Sequence, residues 1–268
     1  MKARVASAAV LLPLAIGLIL AGGVPFLCGV IAMCGLAGWE VAALLGVTAG
    51  LAVDRRWRAA VAIGAGLLLL GVGLNHRYPG AAQGAAALAL FAGMVAVIAG
   101  GPPARRSLYW ACGVATLVYV AGLGAHFVLL REARQGLGWT LLACAATWST
   151  DIGAFFVGRR LGKRPFFQAI SPKKTLEGAI GGLVAGAVVT PAVALAAGLH
   201  VPLAAAFGMG LTLSGAAQAG DLFESLLKRE AGVKDSGTLI PGHGGILDRI
   251  DSLLLVVAVT FYWRLLFP

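Results

Sequence analysis

Charged residues are scarce in this chain, and cysteine and histidine are scarcer still. Only 12% of the 268 residues are Asp, Glu, Lys or Arg, whereas a soluble globular domain has roughly 25%. Because 59% of the residues are hydrophobic, the chain cannot cover a water-facing surface, and much of its exterior must face lipid. The composition therefore excludes an ordinary soluble domain.

The few cysteines and histidines also restrict the site chemistry. No C-x-x-C pair and no His/Cys cluster occurs, so neither a redox pair nor a zinc site is favoured. The cysteines lie in apolar runs, where they pack as small apolar side chains. They are Cys28, Cys34, Cys112 and Cys144.

Long apolar runs fill most of the remaining sequence. A helix of about 20 apolar residues crosses the hydrocarbon core of a bilayer, and nine runs approach that length. They are 6–22, 24–51, 57–74, 81–99, 107–130, 138–157, 175–197, 201–219 and 250–267. We therefore predict an all-α polytopic bundle of about nine transmembrane helices, in which 24–51 is either one tilted span or two short ones.

The distribution of basic residues predicts the orientation. With a cytoplasmic N-terminus and nine alternating spans, 17 of the 21 basic residues lie inside, as the positive-inside rule requires. The net charge of +10 is thus attributed to orientation and anionic head groups, not to nucleic acid. Loop 158–174 and segment 220–249 then share the cytoplasmic side. We divide one continuous membrane domain into N-terminal helices (1–137) and a catalytic region (138–268).

Acidic residues concentrate in one segment of the catalytic region. Six of the eleven lie there: Asp221, Glu224, Glu230, Asp235, Asp248 and Asp251. Clustered charge beside apolar spans indicates function. Four residues recur at helical spacing and share a predicted helix face: Asp221, Glu224, Ser225 and Lys228. Asp248 and Asp251 are three apart and can share a hard cation such as Mg²⁺.

Two further segments have the character of anion sites. The turn Pro241–Gly245 precedes the last apolar run, and glycines there let backbone amides approach a phosphate. Lys173 and Lys174 precede a helix start at which Thr175 is a candidate cap; for these lysines a positive-inside anchor is an equal alternative. Asp151 lies near the end of a span. Glu40 lies inside an apolar run, where helix pairing and a functional role are both open.

Together these residues resemble a known family. The strong resemblance covers residues 148–252, and a weaker one covers Gly38–Glu40. The segments that match are Trp148–Gly162, Ser171–Thr175, Ser225–Arg229, Lys234–Gly237 and Pro241–Asp251. They closely resemble the signature of the phosphatidate cytidylyltransferases, also called CDP-diacylglycerol synthases.

The resemblance implies a reaction in which CTP and phosphatidate give CDP-diacylglycerol and pyrophosphate. It implies Mg²⁺, with a second cation that is divalent or monovalent, at Asp221, Asp248 and Asp251, and a catalytic role for these residues and Lys228. A homodimer and a bacterial inner-membrane location, with the site facing the cytoplasm, are also expected. Substrate-binding roles are implied for Asp151, Ser171, Lys173, Lys174, Thr175, Ser225, Arg229, Lys234, Asp235, Gly242, His243, Gly244 and Gly245.

Two alternative functions remain open at this point. A CTP-dependent lipid kinase would transfer the γ-phosphate to a polyprenol-type alcohol. An anion transporter would also explain buried charge, but it predicts inverted repeats with broken helices, and the two halves show no convincing repeat.

Overall fold

The computed structural model describes residues 2–100, 105–242 and 244–267. In these ranges the protein is all-α, as predicted, and its only β-type pairings are two isolated bridges. The helices are α1 (Lys2–Ala21), α2 (Gly23–Thr48), α3 (Arg55–Leu74), α4 (Ala81–Gly100), α5 (Arg106–Thr116), α6 (Leu123–Glu132), α7 (Gly136–Leu161), α8 (Leu176–Ala196), α9 (Leu203–Glu230) and α10 (Leu247–Leu266).

These helices correspond closely to the predicted apolar runs. A π-helical segment, Leu117–Gly122, joins α5 and α6 into one continuous helix. The run 24–51 forms one helix, not two. Six helices in the described ranges are long and apolar enough to cross a membrane, so the protein is an integral membrane protein. The count of nine spans and the cytoplasmic N-terminus stay predictions.

The chain forms two compact units. The first contains residues 1–129 and 227–249, and the second contains 130–226 and 250–268. In the first unit α2 packs against α3, and α3 packs against α4. Asp54 begins α3 by accepting a hydrogen bond from Trp57 N at 2.8 Å. The division at residue 137 was a functional one and stays a prediction.

Glycines allow the helices of the second unit to pack closely. Helix α7 packs against α8, and a Cβ on Gly153 would lie 2.8 Å from the carbonyl oxygen of Gly181. A Cβ on Gly210 would lie 2.6 Å from the carbonyl oxygen of Gly186. Small residues of this kind let transmembrane backbones approach one another. Their effect is to bring α7, α8 and α9 close enough for a shared polar site.

Candidate active site

A closed loop precedes α8 in the second unit. The Glu177 carboxylate accepts hydrogen bonds from the backbone N–H groups of Lys163 and Arg164 and from Arg164 Nε, the last at 2.9 Å. Thr175 Oγ1 accepts from Gly178 N at 3.2 Å, so the predicted helix cap is confirmed. The carboxylate and the cap together fix the end of the loop, where Lys174 lies.

Lys174 pairs with the first acidic residue of α9. Its Nζ lies 2.7 Å from Asp221 Oδ2, and Ser225 Oγ donates to Asp221 Oδ1 at 3.4 Å. Asp151 on α7 lies near enough to Asp221 and Lys174 to interact with both electrostatically. Lys174 of loop 158–174 and Asp221 are thus in contact within this unit, whereas the cytoplasmic side predicted for both stays a prediction.

Three carboxylates of the second unit converge. Asp221, Glu224 and Asp251 each place one oxygen within 4.8 Å of the others. Close packing makes this possible, because a Cβ on Gly220 would lie only 2.5 Å from the backbone oxygen of Asp251. Glu224 is only 2% exposed. An all-oxygen donor set of this size fits a hard divalent cation such as Mg²⁺.

The first unit contains a second polar cluster, built on Lys228 at the end of α9. Lys228 Nζ lies 2.7 Å from Asp248 Oδ1, and both side chains are largely buried. Asp248 Oδ2 accepts from the backbone N–H groups of Ser236 (2.9 Å) and Gly245 (2.8 Å). Asp248 therefore links the lysine to the loop before α10.

The predicted turn Pro241–Gly245, called the glycine turn from here on, has the expected geometry at its described residues. Gly242 and Gly244 have φ of 77° and 80°, a region that glycine adopts without strain. Ile240 N donates to Gly244 O at 2.9 Å, which closes the turn. A Cβ on Gly244 would lie 2.6 Å from Asp248 Oδ2, so the turn and the carboxylate are in direct contact. His243, predicted to bind nucleotide, lies outside the described residues.

Glu40 is the polar residue that sequence reasoning left undecided, and it belongs to the polar cluster of the first unit. Its oxygens accept hydrogen bonds from Ser236 Oγ (2.9 Å), Ile246 N (3.0 Å) and Leu247 N (2.8 Å). The sequence offered two signals, an isolated Glu in an apolar run and a weak family resemblance at Gly38–Glu40. Its partners are 196 to 207 residues away, so no local pattern could identify them.

Comparison with known sequences decides the family. The profile of the cytidylyltransferase family matches residues 2–267. The chain belongs to the cytidylyltransferase family. The predicted resemblance is thereby confirmed at the level of the family.

Several relatives of this protein are named phosphatidate cytidylyltransferase. That of Bacillus subtilis (strain 168) is 48% identical over 113 residues, which is 42% of each chain. That of Helicobacter pylori (strain J99) is 50% identical over 103 residues, 37% of each chain. That of Staphylococcus aureus (strain COL) is 45% identical over 103 residues, 38% of this chain and 40% of its own. The matched part spans less than half of the length of each relative.

Some predicted residues make no side-chain contact described above, although a Cβ on Gly244 would lie 3.3 Å from the Cβ of Asp235. Ser171 accepts from Lys174 N within its own loop. The remaining four are exposed basic or acidic side chains on the surface. They are Lys173, Arg229, Lys234 and Asp235. Their substrate-binding roles stay predictions.

Glu224 was not among the predicted metal ligands, although the structure groups it with Asp221 and Asp251. Its spacing three residues after Asp221 was the signal that could have found it. Asp248, a predicted ligand, has both carboxylate oxygens in hydrogen bonds with Lys228, Ser236 and Gly245. Its assignment as a metal ligand stays a prediction.

Proposed function

We propose that the protein transfers the cytidylyl group of CTP to phosphatidate, which gives CDP-diacylglycerol and pyrophosphate. The family membership, and the name that relatives 45–50% identical over the matched part bear, support this assignment. The supporting observation in the structure is the group Asp221, Glu224 and Asp251, with Lys174 Nζ 2.7 Å from Asp221. A cation-binding group with a lysine beside it suits chemistry on phosphates.

In this reaction a phosphate oxygen of the lipid attacks the α-phosphorus of CTP. A new P–O bond forms, the bond from the α-phosphorus to the bridging oxygen breaks, and pyrophosphate leaves with the electron pair. No general base is required, because a phosphate monoester has a second pKa of about 6 and is already ionised near neutral pH. Positioning and charge neutralisation are therefore the main tasks of the protein.

In the second unit, Lys174 supplies positive charge to a phosphate held beside the carboxylates. Asp221, Glu224 and Asp251 would hold a divalent cation such as Mg²⁺, which when bound neutralises phosphate charge. Asp151 adds negative charge near Lys174 and helps to orient the ammonium group. A second cation remains part of the proposal.

In the first unit, the glycine turn binds nucleotide phosphates through its backbone. Gly242 and Gly244 have no side chain to separate the backbone from a ligand, and glycine adopts their positive φ without strain. Lys228 is held in place by Asp248. The exposed Lys234 and Arg229 increase the positive potential around the turn.

The test uses purified protein with phosphatidate and CTP labelled at the α-phosphorus, with and without a chelator. We expect label in the lipid product and release of unlabelled pyrophosphate, both abolished by the chelator. CTP labelled at the γ-phosphorus should leave the lipid unlabelled, both with phosphatidate and in a parallel reaction with a polyprenol-type alcohol as the acceptor. Label in the lipid from γ-CTP alone would show a lipid kinase instead and would refute the proposal.

We also propose that the protein resides in a bacterial cytoplasmic membrane as a homodimer, with its N-terminus and site in the cytoplasm. The asymmetry of basic residues supports the orientation. Labelling of single cysteines in sealed vesicles measures it: a cysteine at position 173 should react only from the cytoplasmic side. Mass photometry of the detergent-free particle measures the subunit number.

A further inference from the structure

Glu40 is a buried carboxylate on an apolar helix, and it has unusual partners. It is 4% exposed on α2. Its three hydrogen bonds, from Ser236 Oγ, Ile246 N and Leu247 N, all come from the segment that contains the glycine turn. A charge among apolar helices is costly unless it is paired. The Glu40 carboxylate therefore holds this segment against α2.

The surrounding backbone leaves no space around this carboxylate. A Cβ on Gly237 would lie 2.5 Å from Glu40 Oε1. A Cβ on Gly245 would collide with Glu40 Oε2 and Ser236 Oγ. Both glycines thus allow the loop to close around the carboxylate. The position of the turn depends on the position of the carboxylate, and not only on its charge.

Glu40 also connects to the buried ion pair. Ser236 Oγ lies 2.9 Å from Glu40 Oε2 and 2.9 Å from Asp248 Oδ2, and its single hydrogen can be donated to only one of them at a time. Asp248 in turn holds Lys228. The two carboxylates contact the same serine hydroxyl, so Glu40 influences both the turn and the lysine.

The orientation of α10 adds an electrostatic reason. Ile246 N and Leu247 N are among the amides at the start of α10 that have no partner within the helix. A carboxylate is favoured there because of the helix dipole. Glu40, which lies on α2, supplies this carboxylate to the start of α10. Glu40 thereby fixes the start of α10, which directly follows the glycine turn.

We propose that Glu40 is a positioning residue for the nucleotide, which fixes the glycine turn in the conformation that binds the CTP phosphates. This rests on the proposed function. Glu40 touches no substrate and acts through Ser236, Ile246 and Leu247. The alternative is that Glu40 only pairs helices, in which case its loss lowers the amount of folded protein and leaves substrate affinity unchanged.

The experiment compares Glu40→Gln with Asp54→Asn in purified full-length protein. Both changes replace a helix-capping carboxylate of the first unit by its amide, but Asp54 accepts from Trp57 N of α3, whereas Glu40 accepts from Ile246 N and Leu247 N after the turn. We expect Glu40→Gln to raise the KM for CTP about tenfold, the effect of losing a hydrogen bond to a charged group. The KM for phosphatidate should stay within about twofold, because a larger change would require the loss of an interaction with phosphatidate as well. Asp54→Asn should match the wild type in both.

A second readout does not require activity. Limited trypsin digestion cleaves after Lys234, an exposed residue of the loop. We expect Glu40→Gln to be cleaved faster there than the wild type or Asp54→Asn, and added CTP to protect the wild type more than the variant. If wild-type protein forms no labelled lipid, the proposed function fails, while the cleavage rates still test the role of Glu40.

Three results would overturn the inference. One is cleavage of Glu40→Gln after Lys234 at the wild-type rate. Another is faster cleavage with an unchanged KM for CTP. The third is a fall in Vmax with both KM values unchanged. If Glu40→Gln does not fold, Gly237→Ala tests the same link from the loop, because its Cβ displaces Glu40 Oε1 and leaves α2 unaltered; the same shift in the KM for CTP is expected.

Discussion

Lys228 and Asp248 form a short ion pair, 2.7 Å between Nζ and Oδ1, with side chains that are 12% and 6% exposed. Such a buried pair needs further hydrogen bonds to offset the loss of hydration. Asp248 has them from Ser236 and Gly245. The pair thus joins α9, α10 and the glycine turn of the first unit.

Removing either partner alone should destabilise the protein strongly. We expect Lys228→Met to reduce the free energy of unfolding by about 3 kcal/mol, because it leaves a buried carboxylate without its cation. Asp248→Asn should have a similar effect. Unfolding in mixed micelles with SDS measures both.

The double variant decides whether the pair acts as a unit. We expect Lys228→Met/Asp248→Asn to be less destabilised than the sum of the two single variants, by about 1 kcal/mol or more. Strictly additive effects would show that the two side chains stabilise the protein independently and would contradict the prediction.

The three-carboxylate group should control the requirement for a cation. We expect Asp221→Asn, Glu224→Gln and Asp251→Asn each to raise the Mg²⁺ concentration for half-maximal activity about tenfold or more, since each removes one charged oxygen ligand. Glu230→Gln, an exposed residue on the same helix as Asp221, is the matched control. A normal Mg²⁺ titration for all three variants would refute the metal site.

Asp248 provides a separate test of the same assignment. If Asp248 serves the loop and not the cation, Asp248→Asn should leave the Mg²⁺ dependence of the remaining activity close to that of the wild type. A large shift in the Mg²⁺ titration would instead support the assignment made from the sequence.

The two adjacent lysines of the loop before α8 should differ. Lys174 contacts Asp221, whereas Lys173 is exposed. We therefore expect Lys174→Gln to raise the KM for phosphatidate about tenfold, because it removes a charge-assisted contact to phosphate. Lys173→Gln should change it less than about twofold, as an exposed charge contributes little. Equal effects would indicate that both lysines act only through general positive potential.

The helices were predictable because their signal is local. Apolar length identifies a span wherever it occurs, and Thr175 was recognised as a cap from its position before α8. Helical spacing also placed Asp221, Glu224, Ser225 and Lys228 correctly on one helix.

The clusters were less predictable because they depend on contacts distant in sequence. Asp248 and Asp251 were expected to act on one cation, yet Asp248 contacts Lys228, Ser236 and Gly245, and Asp251 groups with Asp221 and Glu224. Spacing along a helix predicts which residues share a face, but it does not predict which residues of other helices that face contacts. For the same reason the sequence singled out Glu40 but could not predict its contact with the start of α10.

Close packing of α9 on α8 gives a prediction that is independent of the chemistry. A Cβ on Gly210 would lie 2.6 Å from Gly186 O and 2.7 Å from the Cα of Ala187, whereas a Cβ on Gly208 meets nothing within 4 Å. Because backbone atoms cannot move aside as a side-chain end can, Gly210→Ala should destabilise the protein by about 1–3 kcal/mol.

Gly208→Ala on the same helix is the matched control. It should be neutral or slightly stabilising, by up to about 1 kcal/mol, since alanine favours a helix more than glycine does. The same SDS titration measures both variants. The comparison removes helix propensity as an explanation, because both substitutions gain it equally. If Gly210→Ala were as stable as Gly208→Ala, α8 and α9 would not be packed backbone to backbone at this position, and the close approach that supports the polar site of the second unit would be wrong.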